Sequence, residues 1–180
     1  MAEIWTDRLY LRDFVAEDWT AVFAYQSDPR YLRYYRWTKR YEVEVQKFVQ
    51  IFLNHQVAEP RYKYQFAVVL RENGHLIGNC GVRKESADSL IADMGYEIDP
   101  NQWGQGYATE AATAVLEFGF TELRVHRIWA NAISENLGSR RVLEKIGMRY
   151  EGTLRENEWM KGRWWDTVLY GILEQEWRQM

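Results

Sequence analysis

One cysteine, Cys80, occurs in the 180 residues. That excludes an internal disulfide framework and a cysteine-built zinc site. The stretch around it, "HLIGNCGV", reads as a strand, so Cys80 is expected as a small buried apolar residue. There are only 3 prolines and no low-complexity stretch, and no repeat at solenoid periods, which leaves neither an internal linker nor a repeat array. No run approaches the roughly 20 apolar residues of a membrane span. The opening "MAEIWTDRLYLRD" mixes acids into its apolar residues, so it does not read as a secretory leader. Charge of one sign is also lacking: 23 Lys and Arg stand against 26 Asp and Glu, a net of −3. Nothing in that balance calls for nucleic acid or an anionic membrane. The expectation is one soluble, cytoplasmic domain over residues 1–180, monomer or homodimer.

What the chain has in excess is aromatic: 9 Trp and 12 Tyr. Most are expected in the core, some along a binding groove. Alternation over 7–14 predicts a first strand. Apolar spacing at Val15, Trp19, Val22 and Phe23 predicts a helix that stops at Asp28-Pro29. A second helix is expected from 42 to 55. Two apolar runs around Glu72-Asn73-Gly74 predict a hairpin over 64–83, followed by a strand over 88–99. A loop over 100–106, a helix over 109–123 and a strand over 127–133 come next. A helix over 136–147 closes on Gly147, and two final strands turn at Lys161-Gly162. Hairpins dominate the first half, so the class is α+β (mixed α/β) rather than doubly wound.

The loop "PNQWGQGYATEA" poses the functional question. It is not a P-loop, because no Gly-Lys-Ser/Thr ending follows. It is not a dinucleotide fingerprint either, because Thr109 stands at the third glycine position. What remains is a strand, a glycine turn and a helix start. The first N–H groups of a helix lack internal partners and suit an anion such as a pyrophosphate. A tight turn that binds nothing fits the same residues.

The larger stretch "GYEIDPNQWGQGYATEAATAVLEFGF" resembles the acetyl-CoA-binding core of the GNAT N-acetyltransferase superfamily. The superfamily's Arg or Gln is replaced by Trp103, ahead of Gly106-Tyr107-Ala108. That replacement, with "GYATEA" after it, resembles the RimJ/RimL-like branch, whose named members acetylate N-termini of ribosomal proteins. "HRIWANAISENLGSRRVLEKIGM" and "EGTLRENEWMKGRWWDTVLYGIL" resemble the branch's later blocks, and "TDRLYLRDFVAEDW" its opening. The resemblance implies the GNAT fold, a central, mostly antiparallel, twisted sheet flanked by helices. It also implies direct transfer of acetyl from acetyl-CoA to a primary amine, a protein N-terminus or a small amine, with no metal.

The same resemblance assigns roles. Trp103, Gly104, Gln105, Gly106, Tyr107, Ala108 and Thr109 would form the pyrophosphate seat, with Thr109 alternatively a helix cap. The backbone N–H near Ile98 would face the thioester carbonyl. Asn136 would touch the cofactor arm and Ser139 would lie near the sulfur; both also read as helix-capping residues. Glu158 would be the general base, with Glu156, Asp93 and Glu97 as alternatives. In "RYLRYYRWTKRY", 30–41, Arg30, Arg33, Arg36 and Lys39 fall three apart, which on a helix makes a basic stripe beside an aromatic one. Arg33, Arg36 and Trp37 are expected to border the acceptor groove and to select an acidic acceptor or ribosomal RNA. No nucleic-acid partner is otherwise expected. A catalytically silent acyl-CoA sensor and a ribosome-associated binding protein stay open as other readings.

Overall fold

The computed structural model describes residues 2–180. Eight strands form one sheet in the order β1-β2-β3-β4-β5-β6-β8-β7. They are β1 (Glu3–Trp5), β2 (Leu9–Asp13), β3 (Lys63–Leu70), β4 (Leu76–Lys84), β5 (Ile91–Ile98), β6 (Arg127–Ile133), β7 (Arg149–Met160) and β8 (Arg163–Leu173). Every neighbouring pair is antiparallel except β5 with β6. Helices α1 (Trp19–Gln26), α2 (Pro29–Leu32) and α3 (Glu42–Gln56) precede β3. Helix α4 (Tyr107–Thr121) joins β5 to β6, α5 (Leu137–Lys145) joins β6 to β7, and α6 (Glu174–Trp177) follows β8. Among the described residues no helix is long and apolar enough to cross a membrane.

The helices cover both faces of the sheet. On one face Val22, Tyr25, Tyr31, Val45, Val49 and Phe52 pack on Ala67 and Val69. On the other, Ala111, Ala112, Val115, Leu116 and Phe120 of α4 pack on Val82, Met94 and Ile128. Alanines at the contact let α4 close onto the strands. This explains the unbroken apolar run "FAVVL" in β3: residues 66–70 are buried on both faces.

Several expected elements differ in extent. β1 is an added edge strand, too short to show an alternation of its own. Helix α4 begins at Tyr107, with Gly106 at its N-cap, two residues ahead of the expected start. Thr109 is therefore inside the first turn and is not the cap. The larger correction concerns residues 30–41: only Pro29–Leu32 is helical, so no basic stripe forms. The reason is tertiary. Tyr31 and Tyr35 turn inward to donate part-buried hydrogen bonds to Glu97 of β5, and these tertiary contacts override a weak helical preference in a Tyr-rich segment.

β4 and β5 meet at an unusually close approach. A Cβ added at Gly78 would lie 2.0 Å from the Glu97 carbonyl oxygen, a backbone atom that cannot yield. Gly78→Ala should lower stability by about 2 kcal/mol or more through this overpacking. Gly152→Ala, where a Cβ meets nothing within 4 Å, should change it by less than about 0.5 kcal/mol. Urea unfolding of both variants checks the contrast; equal losses would contradict it.

Candidate active site

The site begins where the sheet opens. β5 and β6 pair only at Ile91–Arg127, Ala92–Ile128 and Asp93–Trp129. Beyond that point β5 continues to Ile98 and β6 to Ile133 without each other. Antiparallel pairing with β4 alternates hydrogen-bonded and free positions. The Asp99 N–H donates to the Ile77 carbonyl, which makes Asp99–Ile77 a bonded pair and Ile98 and Tyr96 free ones. The amides of Tyr96 and Ile98 therefore face the gap left by β6.

At the end of β5 the chain turns through a short 3-10 segment, Pro100–Gln102, into the glycine loop. The indole N–H of Trp103 donates back to the Ile98 carbonyl at 2.7 Å and ties loop to strand. Gly104 and Gly106 take φ of 78° and 86°, a conformation that glycine adopts without penalty. From Gly104 to Thr109 none of the six backbone N–H groups has a hydrogen-bond partner among the described residues. They stand at the positive end of the 15-residue helix α4. Arg8, absent from the sequence-based expectations, braces the loop. It donates to the Gln105 carbonyl at 2.9 Å, pairs with Glu110 at 2.7 Å, and lies over the Tyr107 ring. The Tyr107 side chain is buried in the core, so only its backbone faces the loop.

A cleft of about 810 Å³ runs through the opened sheet. It brings together Tyr96, Glu97, Asn136, Ser139 and Glu158, with Arg36 and Trp37 at its wall. Arg33, Glu156, Ile98 and the glycine loop are not part of that lining; β5 connects loop and cleft. Asn136 caps α5 by accepting the Ser139 N–H at 3.2 Å. The Tyr96 hydroxyl lies 2.9 Å from both the Ser139 carbonyl and the Ser139 hydroxyl.

Residues 8–149 match the acetyltransferase (GNAT) domain family. This chain belongs to that family. It is 38% identical over 174 residues to YnaD of Bacillus subtilis (strain 168), named an uncharacterized N-acetyltransferase, covering 97% of this chain and 98% of YnaD. A GNAT-family acetyltransferase crystal structure from Bacillus anthracis superposes with a TM-score of 0.84 at 34% identity, covering 97% of this chain and 99% of that one. RimJ of Mycobacterium smegmatis, solved with CoA-disulfide, gives 0.79 at 26% identity, covering 93% and 83%. The chain is an acetyltransferase, and its relatives include RimJ/RimL-like enzymes.

The four candidate carboxylates of this GNAT enzyme, Asp93, Glu97, Glu156 and Glu158, are not equivalent. Glu97 faces the hydroxyls of Tyr25, Tyr31 and Tyr35 and the amides of Gln26 and Asn79, at 2.7–3.4 Å. Five donors fill the roughly four lone-pair sites of a carboxylate. Burial first, and the Glu97 charge second, pushes those three tyrosine hydroxyls well above the ordinary range. Asp93 is held by Arg83 and lies five residues below Ile98, about 16 Å along the strand. Glu156 does not share the face of Glu158, although a two-residue spacing on a regular strand would put both on one face. The register shifts between Leu154 and Glu158, Glu156 takes φ of 50°, and its side chain is exposed. Glu158 is half-buried; Arg36 contacts only its Oε2, at 2.5 Å and 3.2 Å. No donor among the described residues reaches Oε1.

Of the three residues expected to border an acceptor groove, Arg36 and Trp37 line the cleft and Arg33 does not. Arg36 is neutralised by Glu158, Arg33 lies exposed over the Tyr34 ring, and Arg30 pairs with Asp28. The cleft's ion pairs, Arg36–Glu158 and Arg83–Asp93, cancel and leave Glu97, so its lining is acidic by one charge.

Cys80 is fully buried in β4, and burial pushes its thiol up to about 12. A thiol is nucleophilic only as thiolate. The native protein should therefore resist a thiol-specific disulfide reagent at pH 8 and react with one equivalent on denaturation. Rapid native labelling would contradict the buried, inert assignment.

Proposed function

We propose that this enzyme moves acetyl from acetyl-CoA directly to the nitrogen of a primary amine, either a protein N-terminus or a small amine. The observation that carries the reading is the run of free amides from Gly104 to Thr109, continued by the free amides of Ile98 and Tyr96 along β5. An anionic pyrophosphate satisfies the first set. An amide-bearing arm lying in the gap satisfies the second, as an added strand would.

Within this reading the thioester carbonyl lies against a β5 amide, Ile98 or Tyr96. Such a donor stabilises a developing oxyanion by about 3 kcal/mol. The sulfur leaves beside Ser139. Glu158 takes the proton of the attacking amine, directly or through one water, at its free Oε1, while Arg36 holds Oε2 in place. Arg36 thus positions the base instead of reading an acidic acceptor. The acidic lining favours an acceptor that arrives as an ammonium ion. Neutralising an α-amine of pKa about 7.8 costs only ~0.5 kcal/mol near pH 7.4, whereas a lysine at about 10.4 costs ~4 kcal/mol. A carboxylate with an open oxygen suffices for the first, which supports an N-terminal or similarly weak amine as acceptor.

Glu158→Gln should lower kcat with an N-terminal peptide by about 100-fold near pH 6.5. The deficit should narrow towards pH 9, where the amine is already neutral. Acetyl-CoA-dependent thiol release across that range measures it. An unchanged pH–rate profile would remove Glu158 from the role.

A further inference from the structure

We propose that Tyr96 is a positioning residue for the departing thiolate, acting through Ser139 as a two-hydroxyl relay. The proposal rests on the reading that the sulfur leaves beside Ser139. The starting point is a count of hydrogens. The Tyr96 hydroxyl has one, and the Ser139 carbonyl 2.9 Å away can only accept. Tyr96 therefore donates to that carbonyl, and the Ser139 hydroxyl, also at 2.9 Å, donates to Tyr96. In the resting arrangement the Ser139 hydrogen is turned to Tyr96 and away from the gap.

A thiolate forming in the gap changes the preference. Ser139 swings its hydrogen to the sulfur, because a bond to a charged acceptor is roughly twice as strong as a neutral one. Its oxygen then lacks a donor. Tyr96 supplies one by turning its hydrogen from the carbonyl to Oγ, two acceptors at the same distance from its oxygen. The chain becomes Tyr96 O–H to Ser139 Oγ, and Ser139 O–H to sulfur, each bond polarising the next. No proton is transferred: both hydroxyls keep their hydrogens, and the C–S bonding pair stays on sulfur as the new C–N bond forms. The amine's proton goes to Glu158, not into the relay.

The geometry around the pair suits this. Tyr96 projects from β5 and packs against the α4 side of the core. Ser139 sits in the first turn of α5, its amide held by Asn136. The bond thus spans from one wall of the opened sheet to the helix that follows the other wall. Burial raises the Tyr96 hydroxyl above its ordinary range, which keeps it a neutral donor at working pH.

The test measures the thiol pKa of enzyme-bound CoA by its ultraviolet thiolate absorbance, with desulfo-CoA as the blank so that tyrosine contributions cancel. Hydrogen bonding to the charged form lowers a pKa, so wild type should lower that of bound CoA by about 1 unit relative to free CoA. Tyr96→Phe, which keeps the ring, should recover most of that shift. Ser139→Ala should recover all of it, and the double variant should match Ser139→Ala alone. In parallel, Tyr96→Phe should lower kcat about 10-fold with KM for acetyl-CoA within 2-fold, a split that follows from loss of a contact made chiefly in the transition state. If Ser139→Ala recovers the shift and Tyr96→Phe does not, the relay is overturned while the sulfur's place beside Ser139 stands. If neither variant moves the bound thiol, the underlying placement of the sulfur fails as well.

Discussion

The parting of β5 from β6 is the constraint on which the rest depends. Two parallel strands that pair over three residues and then separate leave backbone amides inside a sheet without partners. A buried unpaired polar group costs about 1–3 kcal/mol, so a gap of this kind persists only where the surroundings hold it open. Here the β4–β5 ladder runs from Ala92 to Ile98 of β5 on one side and the β6–β8 ladder spans β6 on the other. Each strand is rigid through its outer neighbour and free on its inner edge. The unsatisfied hydrogen-bonding capacity of β5, continued by the free amides of the glycine loop, is what a thioester cofactor can use.

The segment from Tyr34 to Trp37 lines the cleft, and with Leu32 before it is held by contacts that span more than half the chain. The Tyr34 hydroxyl donates to the Glu135 carbonyl, Lys161 donates to the Leu32 carbonyl at 2.6 Å, and Arg36 pairs with Glu158. Beneath it Tyr31 and Tyr35 stack on each other at 4.5 Å between ring centroids while both reach Glu97. Buried Arg40 donates to Gln26, whose amide donates in turn to Glu97. Arg40 also meets the Glu44 carboxylate directly, at 3.5 Å. This is why the basic and aromatic character of 30–41 does not become a basic surface. Arg30, Arg36 and Arg40 meet acidic partners, Arg33 and Lys39 lie over tyrosine rings, and the cleft lining is left slightly acidic.

Much of this was legible in the sequence. Alternation, Asn-Gly and Lys-Gly turns, and the glycine after "EKI" located most strands and helices within a few residues. The failed nucleotide fingerprints, together with Trp103 ahead of Gly106, pointed to the acyl-CoA family to which the chain belongs. Asn136, Ser139 and Glu158 were named from their blocks, and they line one cleft. Three features had no sequence signal. Arg8 braces a loop nearly a hundred positions away. The bulge that turns Glu156 out of line leaves strand parity unreadable. Tyr96 meets Ser139 only because α5 folds back over the gap.

By itself the sequence determined the periodicities, the turn positions and the family, because these are local: they depend on side-chain spacing, glycine's conformational freedom and short blocks of fixed order. Tertiary structure decided which carboxylate has an open oxygen, which arginines remain free, and which hydroxyls share a hydrogen. Those depend on pairings between residues tens to more than a hundred positions apart, and no local pattern encodes whether a charged side chain will find a partner.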